Sequence, residues 1–381
     1  MNIKIDHLSG WCEGSLRITG SKSETNRLLL LQALFKGFQL ENISNSDDSK
    51  VMQEALESTS EVVDVHHAGT AMRFLTAYFS HLEGHEVVLT GSTRMQERPI
   101  KLLVDALRSI GASIVYEKAE GFPPIRIKGK KLLGGTISLP ADISSQYISA
   151  LLLLGPVLEK GLKLNLVGKI TSIPYIKMTL TLLNNLGITT SFKDQLIWVG
   201  SAKKIKRINQ VVESDWSSAS YFFSIVALAK KAKISLTSFK KSSLQGDVVL
   251  LDIYEKLGVS SRFEEDTLHL KKENKSLPNS IQLDLTKTPD IAQTIAVSCY
   301  GLGVGCDLVG LHTLKIKETD RLEALHVELT KLGATIKVTN ESLHLSPVTN
   351  FIEKCSISTY NDHRMAMAFA PLALKIPLKI E

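Results

Sequence analysis

The sequence predicts an α/β protein built as two similar halves, and three observations point to it. A segment in which a polar start opens into an apolar helix and then an alternating strand occurs six times. A glycine recurs where the amphipathic helix after each strand should stop, the position that favours a left-handed cap. With 381 residues, 44% of them hydrophobic, the chain can bury two cores rather than one.

The polar starts are SETNR at 23, AGTAMR at 68, SSQY at 144, SDWSSAS at 214, TPDIAQ at 288 and NDHRM at 361. Each leads into a greasy run, respectively LLLLQALF, FLTAYFSHL, ISALLLLGPVL, YFFSIVALA, TIAVSCYGLG and AMAFAPLAL. Strands such as HEVVLTG, LKLNLVG, AKISLTS and LKIPLKI follow. A second helix is read in RPIKLLVDALRSIGA, YIKMTLTLLNNLGI, GDVVLLDIYEKLGV and ETDRLEALHVELTKLGA, with stops at Gly111, Gly187, Gly258 and Gly333. Two short strands then lead onward. The period of roughly 70 to 75 residues is too long for a solenoid and suits a βαβαββ-type block of about six elements.

Six copies imply three repeats per half. The first strand, up to about residue 18, has no partner of its own and is assigned to the second half. The expected domains are therefore 1–18 with 213–381, and 19–212. Two crossings near Gly20 and Glu213 would form a hinge, with ligand bound between the halves. The sixth repeat stops after LKIPLKI at Glu381, one helix short of the others, so a longer parent polypeptide is expected.

The formal charge of +6 is modest, and Lys and Arg are dispersed rather than interleaved with aromatics, which argues against nucleic acid as partner. No apolar run reaches membrane-spanning length and MNIKIDHLSG lacks a signal pattern, so a cytoplasmic protein is expected. Cys12, Cys299, Cys306 and Cys355 show no metal-type spacing. Neither disulfides nor a cofactor is expected.

Helix N-termini favour anions, and six of them turned toward one gap would make a strongly anion-attracting cleft. The cations beside these starts are Lys22, Arg27, Arg73, Arg94, Arg98, Lys317, Arg321 and Arg364, suited to ligands carrying phosphate and carboxylate together. Arg73 and Arg98 read equally well as buried structural arginines. At the first start, an ordinary cap by Ser23 beside solvated cations is the plainer alternative. Asp290 and Glu318 are acid or base candidates, although the first could cap its helix and the second could form a surface pair with Arg321. GSKS lacks the glycine that a phosphate loop needs before its lysine.

The motifs GSKSETNR, HAGTAMRFL, GSTRMQERP, SSQY, KETDRLEAL and TYNDHRMAMAF closely resemble those of the 5-enolpyruvylshikimate-3-phosphate synthase family. The resemblance implies a two-domain inside-out α/β barrel, three repeats per domain, closing on shikimate 3-phosphate and phosphoenolpyruvate. It implies that Lys22, Ser23, Arg27, Ser144, Ser145, Gln146, Ser172, Asp290 and Lys317 hold shikimate 3-phosphate. Lys22, Gly69, Arg94, Gln146, Arg321 and Arg364 would hold phosphoenolpyruvate, and Lys22, Asp290 and Glu318 would be catalytic. No metal or cofactor is implied; a monomer is expected, with glyphosate competing against phosphoenolpyruvate. His67, Phe74, Trp216 and Thr313 depart from the family pattern, Thr313 at a substrate contact and the others in the lining. Transfer to UDP-N-acetylglucosamine, or a non-catalytic anion-binding relative, are the alternatives.

Overall fold

The computed structural model describes residues 2–7, 10–35, 37–141, 144–168, 170, 173–206, 209–348, 350–353 and 355–381. The chain forms two compact lobes, a discontinuous one of Met1–Ile18 with Ser214–Glu381 and a continuous one of Thr19–Glu213.

The continuous lobe holds helices α1 (Lys22–Leu34), α2 (Asp47–Glu57), α3 (Gly69–His81), α4 (Thr93–Gln96), α5 (Lys101–Ser109), α6 (Ser145–Leu154) and α7 (Ile173–Asn185). Its second repeat builds a four-stranded sheet in the spatial order Val62–Asp64, Glu86–Thr90, Ile125–Lys128, Ser113–Tyr116. The first pair is parallel, joined through a helix, and the later pairs are antiparallel, as hairpin connections allow. Gly135–Pro140, Leu162–Val167, Leu196–Val199 and Thr190–Lys193 repeat that order. The first repeat keeps one parallel pair, Gln39–Glu41 with Asn209–Val211.

In the discontinuous lobe the helices are α8 (Trp216–Leu228), α9 (Leu250–Lys256), α10 (Ala292–Leu302), α11 (Arg321–Lys331) and α12 (His363–Phe369). Two sheets follow the same order: Trp11–Arg17, Lys231–Thr237, Thr267–Lys272, Val259–Glu264, and Ser280–Asp284, Gly305–Val309, Ser342–Leu345, Ile336–Val338. The third sets Ser356–Ile357 parallel to Leu378–Ile380, with Ile3–Ile5 antiparallel beside it. The single N-terminal strand expected from the sequence is thus two strands serving different sheets. Among the described residues no sheet closes on itself, so the word barrel describes no continuous ladder.

The polar-start helices are apolar nearly all round and therefore lie inside. In α6 every residue from Tyr147 to Leu154 is buried, and in α10 every residue from Ala292 to Gly301. Trp216 and Phe74, expected to line the site, are fully buried core residues; Trp216 meets Phe239 edge-on at 5.0 Å.

Candidate active site

In the continuous lobe the cap of α1 is Ser21, whose hydroxyl accepts from the Glu24 amide at 3.5 Å. Ser23, the expected cap, sits inside the first turn. Lys22 points its Nζ to 3.9 Å from Asp48 Oδ2, at the start of α2. Arg27 is buried, donating through Nε to Thr179 Oγ1 (2.8 Å), through Nη2 to Ser149 Oγ (2.9 Å) and through Nη1 to the Ser23 carbonyl (2.7 Å). Its guanidinium lies over the rings of Phe74 and Tyr175. Burial lowers its pKa to about 10, which still leaves it charged at neutral pH.

Helix α3 has Ala68 at its cap position and no side-chain cap; among the described residues no hydroxyl or carboxylate accepts from its first amides. Gly69 opens it, and the Arg98 guanidinium lies so close that a Cβ there would stand 2.7 Å from Nη1. Arg73 is buried, donating to the Gly69 and Pro99 carbonyls at 3.2 Å each. Burial, then the charge of Arg98, lowers the Arg73 pKa to about 10. Gln146 Nε2 donates to Thr70 Oγ1 at 3.2 Å, tying the start of α6 to that of α3, while Ser144 caps α6 and Ser145 begins it. Arg94 is 64% exposed on α4 and pairs with Glu97 at 3.0 Å. Ser172 lies outside the described residues.

The discontinuous lobe gathers the other expected residues in one network. Asp290 does not cap α10; it stands in the turn Pro289–Ile291. Its Oδ1 accepts from Arg321 Nη1 at 2.9 Å and lies 3.5 Å from Lys317 Nζ, and Arg364 Nη2 stands 3.7 Å from Oδ2. Arg321, 2% exposed, also donates to Glu318 Oε2 (2.7 Å) and to Asp362 Oδ2 (2.6 Å), where Asp362 is fully buried. The other oxygen of Asp362 caps α12 by accepting from the Arg364 amide at 2.9 Å. Burial works against the charge of Arg364, but Asp290, Tyr221, Asp215 and Asp247 outweigh it and its pKa is raised. Burial raises Asp247 to about 6, Ser217 opposing through a short hydrogen bond. Thr313 stands in the turn His312–Ile316 with its hydroxyl buried and, among the described residues, without a hydrogen-bond partner.

Cations thus outnumber acids around the α3 start, while around Arg321 carboxylates hold each cation in place, as anion sites built from forked arginines require. Asp48, Asp247 and Asp362 were missed in the sequence. Asp362 had a signal, being the cap residue of NDHRM; the others act on partners far away along the chain.

A family model described as EPSP synthase (3-phosphoshikimate 1-carboxyvinyltransferase) matches residues 53–381. The chain belongs to the EPSP synthase family. The 3-phosphoshikimate 1-carboxyvinyltransferase of Bacteroides fragilis strain YCH46 is 46% identical over 370 residues, covering 96% of this chain and 89% of the relative. That of Mannheimia haemolytica is 37% identical over 397 residues, covering 95% and 90%. EPSP synthase from Acinetobacter baumannii has the same fold, at a TM-score of 0.82 and 19% identity, covering 100% of this chain and 94% of that one. Membership of this family fits the repeated βαβ-type architecture and the expected motifs alike. Among the described residues no helix is long and apolar enough to cross a membrane.

Proposed function

We propose that the chain transfers the enolpyruvyl group of phosphoenolpyruvate to the 5-hydroxyl of shikimate 3-phosphate and releases phosphate. The observation that carries this reading is 46% identity to a 3-phosphoshikimate 1-carboxyvinyltransferase over 96% of the chain. Transfer to UDP-N-acetylglucosamine is not favoured.

The residues supply what an addition–elimination needs. Arg94, Arg321 and Arg364, with Lys22, Gln146 and the helix start at Gly69, hold phosphoenolpyruvate; Ser23, Arg27, Ser144, Ser145, Gln146, Ser172 and Lys317 hold shikimate 3-phosphate. The phosphoenolpyruvate methylene takes a proton as the 5-hydroxyl attacks the adjacent carbon, giving a tetrahedral intermediate. That intermediate then returns a methyl proton and expels phosphate, restoring the double bond. Asp290 receives the hydroxyl proton once Lys317 and Arg364 turn to substrate anions. Glu318 and Lys22 exchange protons with the methylene and the leaving phosphate. Once the substrates are bound, the cations already face the negative charge that develops on the leaving phosphate.

On this reading the enzyme is a cytoplasmic monomer acting on two small anions, with glyphosate competing against phosphoenolpyruvate. Phosphate release should require both substrates together. Release with phosphoenolpyruvate alone, or none with the pair, would overturn the assignment.

A further inference from the structure

The segment that delivers Asp362 and Arg364 is gripped from behind by a single helix face. Arg321 and Glu328 lie seven residues apart on α11, two turns and so about 10 Å along one side of the helix. Arg321 holds Asp362. Glu328, whose side chain is fully buried, accepts from the Tyr360 hydroxyl at 2.6 Å, from the Ser358 amide at 3.2 Å and from Lys331 Nζ at 2.8 Å.

Between these two grips the backbone does something unusual. Tyr360 and Asn361 are both left-handed, at φ 55° and 56°, a conformation that a tyrosine rarely adopts and that persists where its surroundings impose it. At this turn the Asp362 amide donates to the Thr359 carbonyl at 2.9 Å and the Tyr360 hydroxyl is anchored on Glu328; burial with that bond raises the tyrosine pKa. The double turn reverses the chain so that Asp362 can both cap α12 and meet Arg321, and the same cap sets the first turn carrying Arg364.

We infer that Glu328 and Tyr360 are positioning residues for the phosphoenolpyruvate subsite: the Glu328–Tyr360 contact fixes the turn at 360–361, and through it the placement of Arg364. This rests on the reading that Arg364 holds phosphoenolpyruvate.

The test compares Tyr360→Phe, Glu328→Gln and Arg364→Ala in the full-length enzyme, with kcat and KM for each substrate. Both positioning variants should raise the KM for phosphoenolpyruvate roughly three- to tenfold, less than the full worth of a hydrogen bond to a charged group because the loss reaches Arg364 only through the turn. The KM for shikimate 3-phosphate should stay unchanged. A merely structural role would reduce the folded fraction, lowering apparent kcat without moving either KM. Tyr360→Phe removes one oxygen at a half-exposed side chain, so it remains informative if Glu328→Gln does not fold. An unchanged phosphoenolpyruvate KM in Tyr360→Phe, with a raised one in Arg364→Ala, overturns the inference alone. An unchanged KM in Arg364→Ala overturns the subsite reading and the inference with it.

Discussion

Arg321 and Arg94 each face carboxylates, and burial decides how differently they behave. Removing Arg321 takes the buried partner from a fully buried Asp362 and deprives Asp290 and Glu318 of ion pairs at 2.9 and 2.7 Å. Breaking such a network typically costs about 3 to 5 kcal/mol. The Arg94 pair is open to water at both partners, where ion pairs contribute about 0 to 1 kcal/mol. Thermal unfolding should therefore show Arg321→Ala strongly destabilised and Arg94→Ala close to the parent, so that a weakened phosphoenolpyruvate KM in the latter reports on binding alone. A second residue sets a pH dependence. With Asp247 at about 6 in the folded state, the protein keeps a proton that the unfolded chain releases from about pH 4. Its contribution to stability is full below pH 4, falls as pH rises toward 6 and is constant above. Asp247→Asn abolishes the titration. Its stability relative to the parent should rise by on the order of 3 kcal/mol between pH 4 and pH 7, read from unfolding curves at both; a constant difference would show that Asp247 titrates normally.

At the scale of helices and strands, two glycines make close approaches of opposite consequence. A Cβ on Gly129, just past the strand Ile125–Lys128, would sit 1.9 Å from the Leu82 carbonyl oxygen at the end of α3. Backbone cannot step aside there, and Gly129→Ala should cost about 3 kcal/mol or more. A Cβ on Gly69 would meet instead the tip of Arg98, a side chain that can swing away, while alanine suits a helix by about 0.5 to 1 kcal/mol. Gly69→Ala should leave the melting temperature nearly unchanged yet raise the phosphoenolpyruvate KM, because the displaced guanidinium crowds the α3 start. Parallel melting and kinetic measurements separate the two glycines. The helices themselves were legible because a buried helix and a glycine stop leave local, periodic marks. The cap at Ser21 rather than Ser23 was not, since Ser21, Ser23, Thr25 and Asn26 are all residue types that suit a helix start. Nor were Trp216 and Phe74 as core residues: their place depends on Phe239 and Arg27, which no local pattern connects to them.

Over the whole molecule, sheets are completed by segments distant in sequence: Trp11–Arg17 pairs with Lys231–Thr237, and Gln39–Glu41 with Asn209–Val211. The same distance hid part of the site. Asp290 and Arg364 are 74 residues apart, and each was marked by its own polar helix start, whereas the Lys22–Asp48 pair and the Asp247 carboxylate carried no motif and emerged with the fold. The expected catalytic residues are divided between the lobes, Lys22 in the continuous one and Asp290 with Glu318 in the discontinuous one. If Lys22 and Asp290 act as a unit in one step, the losses from disabling them are not independent. Lys22→Met and Asp290→Asn should each lower kcat by roughly 100-fold or more, the usual worth of a positioned proton-transfer group. Residues acting as a unit in the same step are strongly non-additive, so the double variant should turn over little more slowly than the weaker single one. Two unrelated contributions would instead multiply, to about 10,000-fold. Phosphate release measured at saturating substrate for the parent, both single variants and the double decides between them, and a multiplicative loss would mean that Lys22 and Asp290 do not share a step.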